Sequence, residues 1–431
     1  MPTGQMTKAT REIELKLLAA PDVLARLSGS PLITRFASGP AVVRPLLSVY
    51  YDTPGLDLRK RGLALRVRRE RAVWLQTVKT EDMSNVASNR AELEAVLPDE
   101  NPDPALIPDA GVRRLVTSCA DVPGLRPVYE TDIRRTERQL VTPEGDRVEL
   151  AVDEGVIRAG GREEKVSELE FELKSGRPAA LFRLALPLAE HFDLRPGVLS
   201  KAARGYALAT GDAGIAPVKA ASPALDPSMT VEEACCAVLP ACLAQIIGNE
   251  PAVVTARAPE GIHQMRVGLR RLRSAIATFA HAGFGPWLEP LEREARRIAS
   301  KLGRARDLDV FVEEMLPPVE RGMPGHSGLA RLRAEAGARR QVAWEKARAA
   351  VASRRFTVFV LSVAAVAEER PWRRSGAAGH ACAAPANALA SPVRDLARRV
   401  LQDHHMRVKS RARAFDRMSE KERHALRIEL K

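Results

Sequence analysis

Apolar and polar positions alternate with a period of two through most of residues 10–209, then recur with a helical period from about residue 230 onward. In Arg11 to Leu17, the side chains of Glu12, Glu14 and Lys16 share one face of a predicted strand while Ile13, Leu15 and Leu17 share the other. The same division sets Arg66 and Arg68 against Leu65 and Val67, and Glu149 and Asp153 against Val148, Leu150 and Val152. It recurs with Glu168, Glu170, Glu172 and Lys174 against Leu169, Phe171 and Leu173. Any one of these segments reads as a surface strand showing charge to water. Together their charged faces are dense, mixed in sign and spread over distant strands, which a sandwich exterior does not require. A closed antiparallel barrel explains them, with charges lining the lumen and apolar residues facing outward under covering helices. Asp22 to Leu27 and Pro178 to His191 have helical spacing and are the expected covers.

After Thr230 come long Ala-, Leu-, Arg- and Glu-rich stretches, with turn signals near Gly283 to Pro286, Pro317 to Gly328 and Pro371 to Pro392. Thr210 to Ser228, rich in Ala, Pro, Gly and Ser, reads as a linker. The predicted class is α+β: a β-barrel tunnel domain over residues 8–210, a linker over 211–228 and an all-α domain over 229–431. A chain of 431 residues has room for about two or three domains.

Charge sharpens this division. The formal net charge of +13 is split as +1 over residues 1–210 and +12 over 211–431, so the helical half is the part suited to a polyanion. With aromatics at only 4% there are few platforms for stacking bases, which points away from nucleic acid and toward phosphate without bases. The polar N-terminus and the lack of a run of about 18 uncharged apolar residues give no membrane signal and read as cytoplasmic. Cys119, Cys235, Cys236, Cys242 and Cys382 have no metal-ligand spacing and read as reduced thiols.

The lumenal faces carry the candidate chemistry. Glu12 and Glu14 side by side on a strand repel each other, and a hard divalent cation such as Mg²⁺ or Mn²⁺ relieves that repulsion while leaving coordination positions for phosphate and water. Glu170 and Glu172 complete the set from another strand, and Arg66, Arg68, Lys79, Arg134, Lys201 and Arg204 form a basic wall for phosphate oxygens.

The order of these blocks resembles the CYTH superfamily, the triphosphate tunnel metalloenzymes. The resemblance runs from Glu12-Ile13-Glu14-Leu15-Lys16 through Tyr50-Tyr51-Asp52-Thr53-Pro54, Leu63 to Arg68 and Thr77-Val78-Lys79. It continues through Arg90 to Glu94, Thr131-Asp132-Ile133-Arg134, Ser167 to Gly176 and Ser200 to Tyr206. It implies an eight-stranded tunnel that binds and cleaves a linear triphosphate with a divalent metal. On that implication Glu12, Glu14, Glu170 and Glu172 hold metal, and Lys16, Arg66, Arg68, Lys79 and Arg134 contact phosphate. Glu12, Glu14 and Lys16 form the catalytic core, while Glu92, Glu94, Glu149, Asp153 and Glu168 orient water or basic side chains.

In the helical half, His263, Arg266, Arg270 and Arg273 fall on one stripe of a helix, and the pattern H-x-[ML]-R-[VI]-x-L-[RK] returns as His424, Arg427 and Lys431. A like-charge stripe destabilises an isolated helix and invites a polyanion. These blocks resemble the CHAD domain, which implies two pseudo-repeated helical bundles that bind polyphosphate. Lys301 and Arg304 belong to another block of that resemblance, and His404, Arg407 and Arg411 to the counterpart helix of the second bundle. The chain ends at Lys431 inside the second repeat, so that bundle is expected to be incomplete.

The expected function is metal-dependent hydrolysis of inorganic triphosphate to pyrophosphate and phosphate, with long-chain polyphosphate as partner of the helical domain. The alternatives are a non-catalytic polyphosphate-binding protein, or a hydrolase of an organic triphosphate such as thiamine triphosphate or ATP. Lumenal acids favour catalysis, because a mere polyanion binder gains nothing from acids that repel its ligand.

Overall fold

The computed structural model describes residues 10–70, 72–80, 87–119, 124–212, 215–373 and 386–429. Nine antiparallel strands make one sheet: β1 (Thr10–Leu18), β2 (Val42–Asp52), β3 (Leu63–Glu70), β4 (Val73–Thr80), β5 (Ala87–Leu97), β6 (Arg126–Val141), β7 (Arg147–Ala159), β8 (Arg162–Ser175) and the two-residue β9 (Arg195–Pro196). Their order is β5-β4-β3-β2-β6-β7-β8-β1-β9. The N-terminal part of β1, Thr10 to Leu15, also pairs with β5, while Glu14 to Leu18 pairs with β8. That double pairing closes the eight long strands into a ring, which removes the sheet's long free edges.

Helices cover the outside as the alternation requires. Leu15, Leu17, Leu150, Val152, Leu169 and Phe171 face a buried core with α1 (Pro21–Ser28), α2 (Pro31–Thr34) and α5 (Ala179–His191). On the opposite wall Leu63, Leu65, Val78 and Leu93 pack with Leu58 of α3 (Asp57–Lys60) and Val116 of α4 (Ala110–Cys119). α6 (Lys201–Thr210) is capped by Ser200, whose Oγ accepts from the Ala203 amide at 3.0 Å, and ends at Gly211 with φ 73°.

The lumen is not charged along its whole length. At one end Tyr50, Ala64, Tyr129, Ile133, Ile157 and Val166 form a buried apolar cluster under α6, closed by Tyr206. Tyr50 and Tyr129 stack with ring centroids 4.4 Å apart, and Tyr206 meets Tyr129 edge-on at 5.2 Å. Gly205 permits this approach, since a Cβ there would lie 2.2 Å from the Tyr129 ring.

The helical half comprises α7 (Val231–Gly248), α8 (Glu250–Val254), α9 (Pro259–Phe279), α10 (Gly285–Val310), α11 (Leu316–Gly322), α12 (Ser327–Val351), α13 (Arg354–Glu369), α14 (Ala386–Ala390), α15 (Val393–Ala412) and α16 (Glu420–Glu429). Thr230 and Glu233 form a capping box at the start of α7. The apolar run Val231–Val254 is core of this bundle, 61% of its most hydropathic window being buried. The turn expected near Gly283 is a single π turn, Ala280–Phe284, with Gly283 at φ 90°. Of the expected second bundle, α15 buries only Leu396 and Val400 and leaves Leu401 69% exposed.

The two halves share one core. α5 is apolar on nearly all sides and lies between the barrel and α13, and one buried cluster runs from Leu15 and Phe171 through Phe182 to Phe359 and Leu243. The segment read as a linker has no helix or strand over residues 215–226. It is nevertheless tied down: the Val218 amide donates to Asn249 Oδ1 at 3.0 Å, and Arg271 Nη2 donates to the Ala221 carbonyl at 2.8 Å. Composition alone reads such a stretch as a tether because it carries no sign of these partners.

Candidate active site

Strand parity sends the expected charges into the lumen of a cavity of about 1470 Å³, lined by Glu12, Glu14, Lys16, Arg66, Arg68, Lys79, Glu92, Glu94, Arg135, Glu149, Asp153, Glu170, Glu172 and Lys201 among others. Glu168 and Arg204 join it through their ion pairs. Within this space the charges form two layers of different character.

The inner layer is internally compensated. Lys201 Nζ lies 2.7 Å from Asp153 and 3.0 Å from Glu170 and contacts Glu168, while Lys16 Nζ lies 3.0 Å from Glu170 and 3.4 Å from Glu168. Arg135 grips Asp153 through Nε at 2.7 Å and Nη2 at 2.6 Å and reaches Glu170 at 2.6 Å. Arg204 adds a contact to Glu168 at 3.2 Å. Burial works against all these charges, yet the lysines and Arg135 hold the Glu170 carboxyl well below its ordinary range, and the acids keep Lys201 well above its own. Asp153, Glu168 and Glu170 bring oxygens within 4.8 Å of one another, close enough in principle for a cation. Four cationic side chains already occupy their surroundings, so we read this cluster as an ion-pair knot that orients lysine and arginine groups.

The outer layer brings several acids against one another. Glu14 stands opposite Glu172 across β1 and β8, and Glu149 stands opposite Glu172 across β7 and β8. Lys174 offsets the latter pair, 2.6 Å from Glu172 and 3.3 Å from Glu149, but burial and the neighbouring Glu149 and Glu14 still raise the Glu172 carboxyl. Burial and a hydrogen bond to Glu92 push Glu12 up to about 8. Glu92 instead keeps its charge, because Lys79 lies 3.0 Å away and Arg66 3.3 Å away. A cation with oxygen ligands fits Glu12, Glu14, Glu149 and Glu172 chemically, since their carboxylates meet across β1, β8 and β7, with Lys79 3.4 Å from Glu12 and Lys174 against Glu149 and Glu172 as the neighbouring cations. Glu170, expected in this set, pairs with Lys16, Arg135 and Lys201 and belongs with Asp153 and Glu168 to the cluster whose oxygens lie close enough for a cation.

A basic wall adjoins these acids. Arg66 Nη2 donates to Thr77 Oγ1 at 3.1 Å, and Arg68 contacts Glu70 and lies 3.9 Å from Glu94. Burial and the neighbouring Arg66 push Arg68 down to about 10, so an anionic ligand would relieve both. Arg134 does not belong to this wall. It is exposed on the outer surface, and Arg135 takes the lumenal place opposite Asp153. Ile133 fills the apolar end of the lumen, so Arg135, two residues on, points inward and Arg134 outward. The acid pairing Arg135–Asp153 and the outer partners of Arg158, Glu130 and Asp132 were the signals that could have fixed the register. Trp74 lies on the outer face, under Arg69 at 5.8 Å.

On the helical side, Arg266 is held against α10 through a hydrogen bond from Nη1 to the Ala299 carbonyl at 3.1 Å, close beside Gly303, where an added Cβ would lie 2.5 Å from Nη1. His263 is partly buried, and Arg270, Lys301 and Arg304 are exposed without acid partners among the described residues. Arg273 departs from the expected free stripe by pairing with Glu292 at 2.9 Å. His404, Arg407 and Arg411 on α15 and His424 and Arg427 on α16 are exposed on helices that pack on each other. Lys431 lies outside the described residues.

Family comparison agrees with both halves: residues 10–206 match the CYTH domain and residues 237–431 the CHAD domain. The chain is a CYTH domain followed by a CHAD domain. It is similar to a protein of Haemophilus influenzae named inorganic triphosphatase, 32% identical over 200 residues, which are 46% of this chain and 55% of that relative. The chain thus spans about half the length of this relative. Among solved structures it is similar to the CHAD domain of the plant Ricinus communis, with 33% identity and a TM-score of 0.39, covering 50% of this chain and 67% of the other. A putative adenylyl cyclase from Hippeastrum, described as having a dominant triphosphatase activity, shares 22% identity with a TM-score of 0.35, over 47% of this chain and 96% of that one.

Proposed function

We propose that the CYTH tunnel hydrolyses inorganic triphosphate to pyrophosphate and phosphate with a bound divalent cation, Mg²⁺ or Mn²⁺. The observation that carries this reading is the division of the lumen into a cluster of acids, Glu12, Glu14, Glu149 and Glu172, in which the Glu12 and Glu172 carboxyls are raised, and an adjoining basic wall of Arg66, Arg68 and Lys79. A cation on the acids supplies charge neutralisation for the phosphoryl oxygens and a polarised water. Arg66, Arg68 and Lys79 hold the same oxygens in fixed directions, which favours in-line attack. Lys16 and Arg135, locked by the knot, present positive charge deeper in the tunnel. Inorganic triphosphate is favoured over an organic one because Tyr50 and Tyr129 stack on each other and Tyr206 packs edge-on against Tyr129, so these rings are spent on filling the apolar end of the tunnel. The name of the Haemophilus influenzae relative supports the same substrate.

Phosphate release from triphosphate, ATP, thiamine triphosphate and long-chain polyphosphate, each with Mg²⁺, with Mn²⁺ and with chelator, tests the proposal. Metal-dependent turnover of triphosphate ahead of the others is the expected result, and full turnover in excess chelator contradicts it. For the CHAD domain we propose binding of long-chain polyphosphate along α9 and α10, supported by the exposed Arg270, Lys301 and Arg304.

A further inference from the structure

The CHAD domain holds the chain on both sides of helix α6, and two of the holds meet at the neighbouring Asn249 and Glu250. Ahead of α6, the Leu194 carbonyl accepts from Thr357 Oγ1 of α13 at 2.6 Å, and Arg195 pairs with the buried Glu250. The chain then passes alongside β1, where the Gly197 amide donates to the Lys16 carbonyl at 2.9 Å, and enters α6, which sends Lys201 and Arg204 into the tunnel. Behind α6, Val218 is bonded through both its amide and its carbonyl to the fully buried Asn249, at 3.0 and 2.8 Å. Three residues on, Ala221 is held by Arg271, which also donates to Gln245 at 2.9 Å. Asn249 and Glu250 are neighbours at the junction of α7 and α8, so one rigid corner of the CHAD domain grips the chain on either side of the helix that supplies Lys201.

Nothing in the tunnel chemistry calls for that corner. An ordinary linker would leave α6 to be positioned by the barrel alone, whereas here a primary amide, an ion pair and a guanidinium fix the backbone on both flanks. We propose that Asn249, with Arg195–Glu250 and Arg271, is a positioning clamp through which the CHAD domain sets the place of Lys201 and Arg204 in the CYTH tunnel. The clamp rests on the reading of that tunnel as the phosphate site. Lys201 binds three of the knot's acids, Asp153, Glu168 and Glu170, so a shift of α6 alters how Lys16 and Arg135 are presented to an anionic ligand.

The test compares the full chain with the double variant Arg195→Gln/Arg271→Ala and, separately, with Asn249→Ala. Two readouts are taken: amide hydrogen exchange of residues 201–210 against strands β7 and β8, and KM and kcat for triphosphate with Mg²⁺. The clamp predicts faster exchange confined to residues 201–210 and a KM raised about tenfold with kcat within about twofold, as expected for a misplaced binding group. The double variant alters partly exposed side chains and keeps the test valid if Asn249→Ala does not fold. Unchanged exchange in α6 with unchanged KM overturns the proposal. Faster exchange throughout, with kcat lowered and KM unchanged, reports loss of folded protein and also overturns it. A wild-type chain that does not turn over triphosphate defeats the tunnel reading, while the exchange comparison still decides whether the clamp exists.

Discussion

At the scale of single residues, two adjacent arginines give the sharpest contrast. Arg135→Ala leaves Asp153 and Glu170 buried without their main guanidinium partner, so it should destabilise the fold by about 3–5 kcal/mol, whereas Arg134→Ala on the surface should stay within about 0.5 kcal/mol. Denaturant unfolding of both variants measures the difference, and equal effects would mean that the register of β6 is misread. Glu14→Gln and Glu172→Gln should lower kcat on the order of 10²-fold while triphosphate binding, carried by Arg66, Arg68 and Lys79, changes less. Equal losses in both quantities would assign these acids a structural role. Glu12 provides a pH signature. Its folded carboxyl sits at about 8 against an ordinary value of 4.5, because of burial and its bond to Glu92. The folded state therefore binds the extra proton, and the stability this gives the metal-free protein is lost as pH rises from about 4.5 to about 8. Thermal melting in chelator should show a downward slope over that window that is absent in Glu12→Gln. With Mg²⁺ near pH 7, calorimetry in two buffers of different ionisation enthalpy should record proton release on metal uptake.

At the scale of elements, the strands were legible because their period is unforgiving: Glu12, Glu14 and Lys16 on one face and Ile13, Leu15 and Leu17 on the other leave a single assignment for β1. α1 and α5 followed from their apolar spacing. What escaped was set by contacts distant in sequence. α4 reads weakly because Ala110–Cys119 is short and carries β-branched residues. Arg135 was passed over for Arg134 since no local signal tells that Ile133 points inward. The pairing of Glu170 with Lys16, Arg135 and Lys201 was invisible for a related reason: those partners come from β1, β6 and α6. On α9 the stripe was correct in spacing, but Arg273 is taken by Glu292 of α10. Long-chain polyphosphate binding should therefore fall with Arg270→Ala and with Lys301→Ala/Arg304→Ala, each flattening its salt dependence, and change little with Arg273→Ala. A filter-binding series between low and moderate salt separates these outcomes, and a dominant effect of Arg273→Ala would displace the site from this groove.

At the scale of the whole molecule, the continuous core through α5 makes the CHAD half part of the CYTH half's fold. The intact chain should melt in one cooperative transition, and residues 8–212 expressed alone should expose the α13-facing side of α5 and aggregate or melt at a lower temperature. Two well-separated transitions in the intact chain would show the halves to be independent. The stacked tyrosines under α6 have a consequence at this scale too. A tunnel stopped at one end admits a linear polymer only by its terminus, so if hydrolysis takes place inside, the enzyme counts ends and not bonds. At equal total phosphate a preparation of longer chains offers fewer ends, and its rate of phosphate release should fall in inverse proportion to mean chain length, whatever the affinity of the helices outside for the body of the polymer.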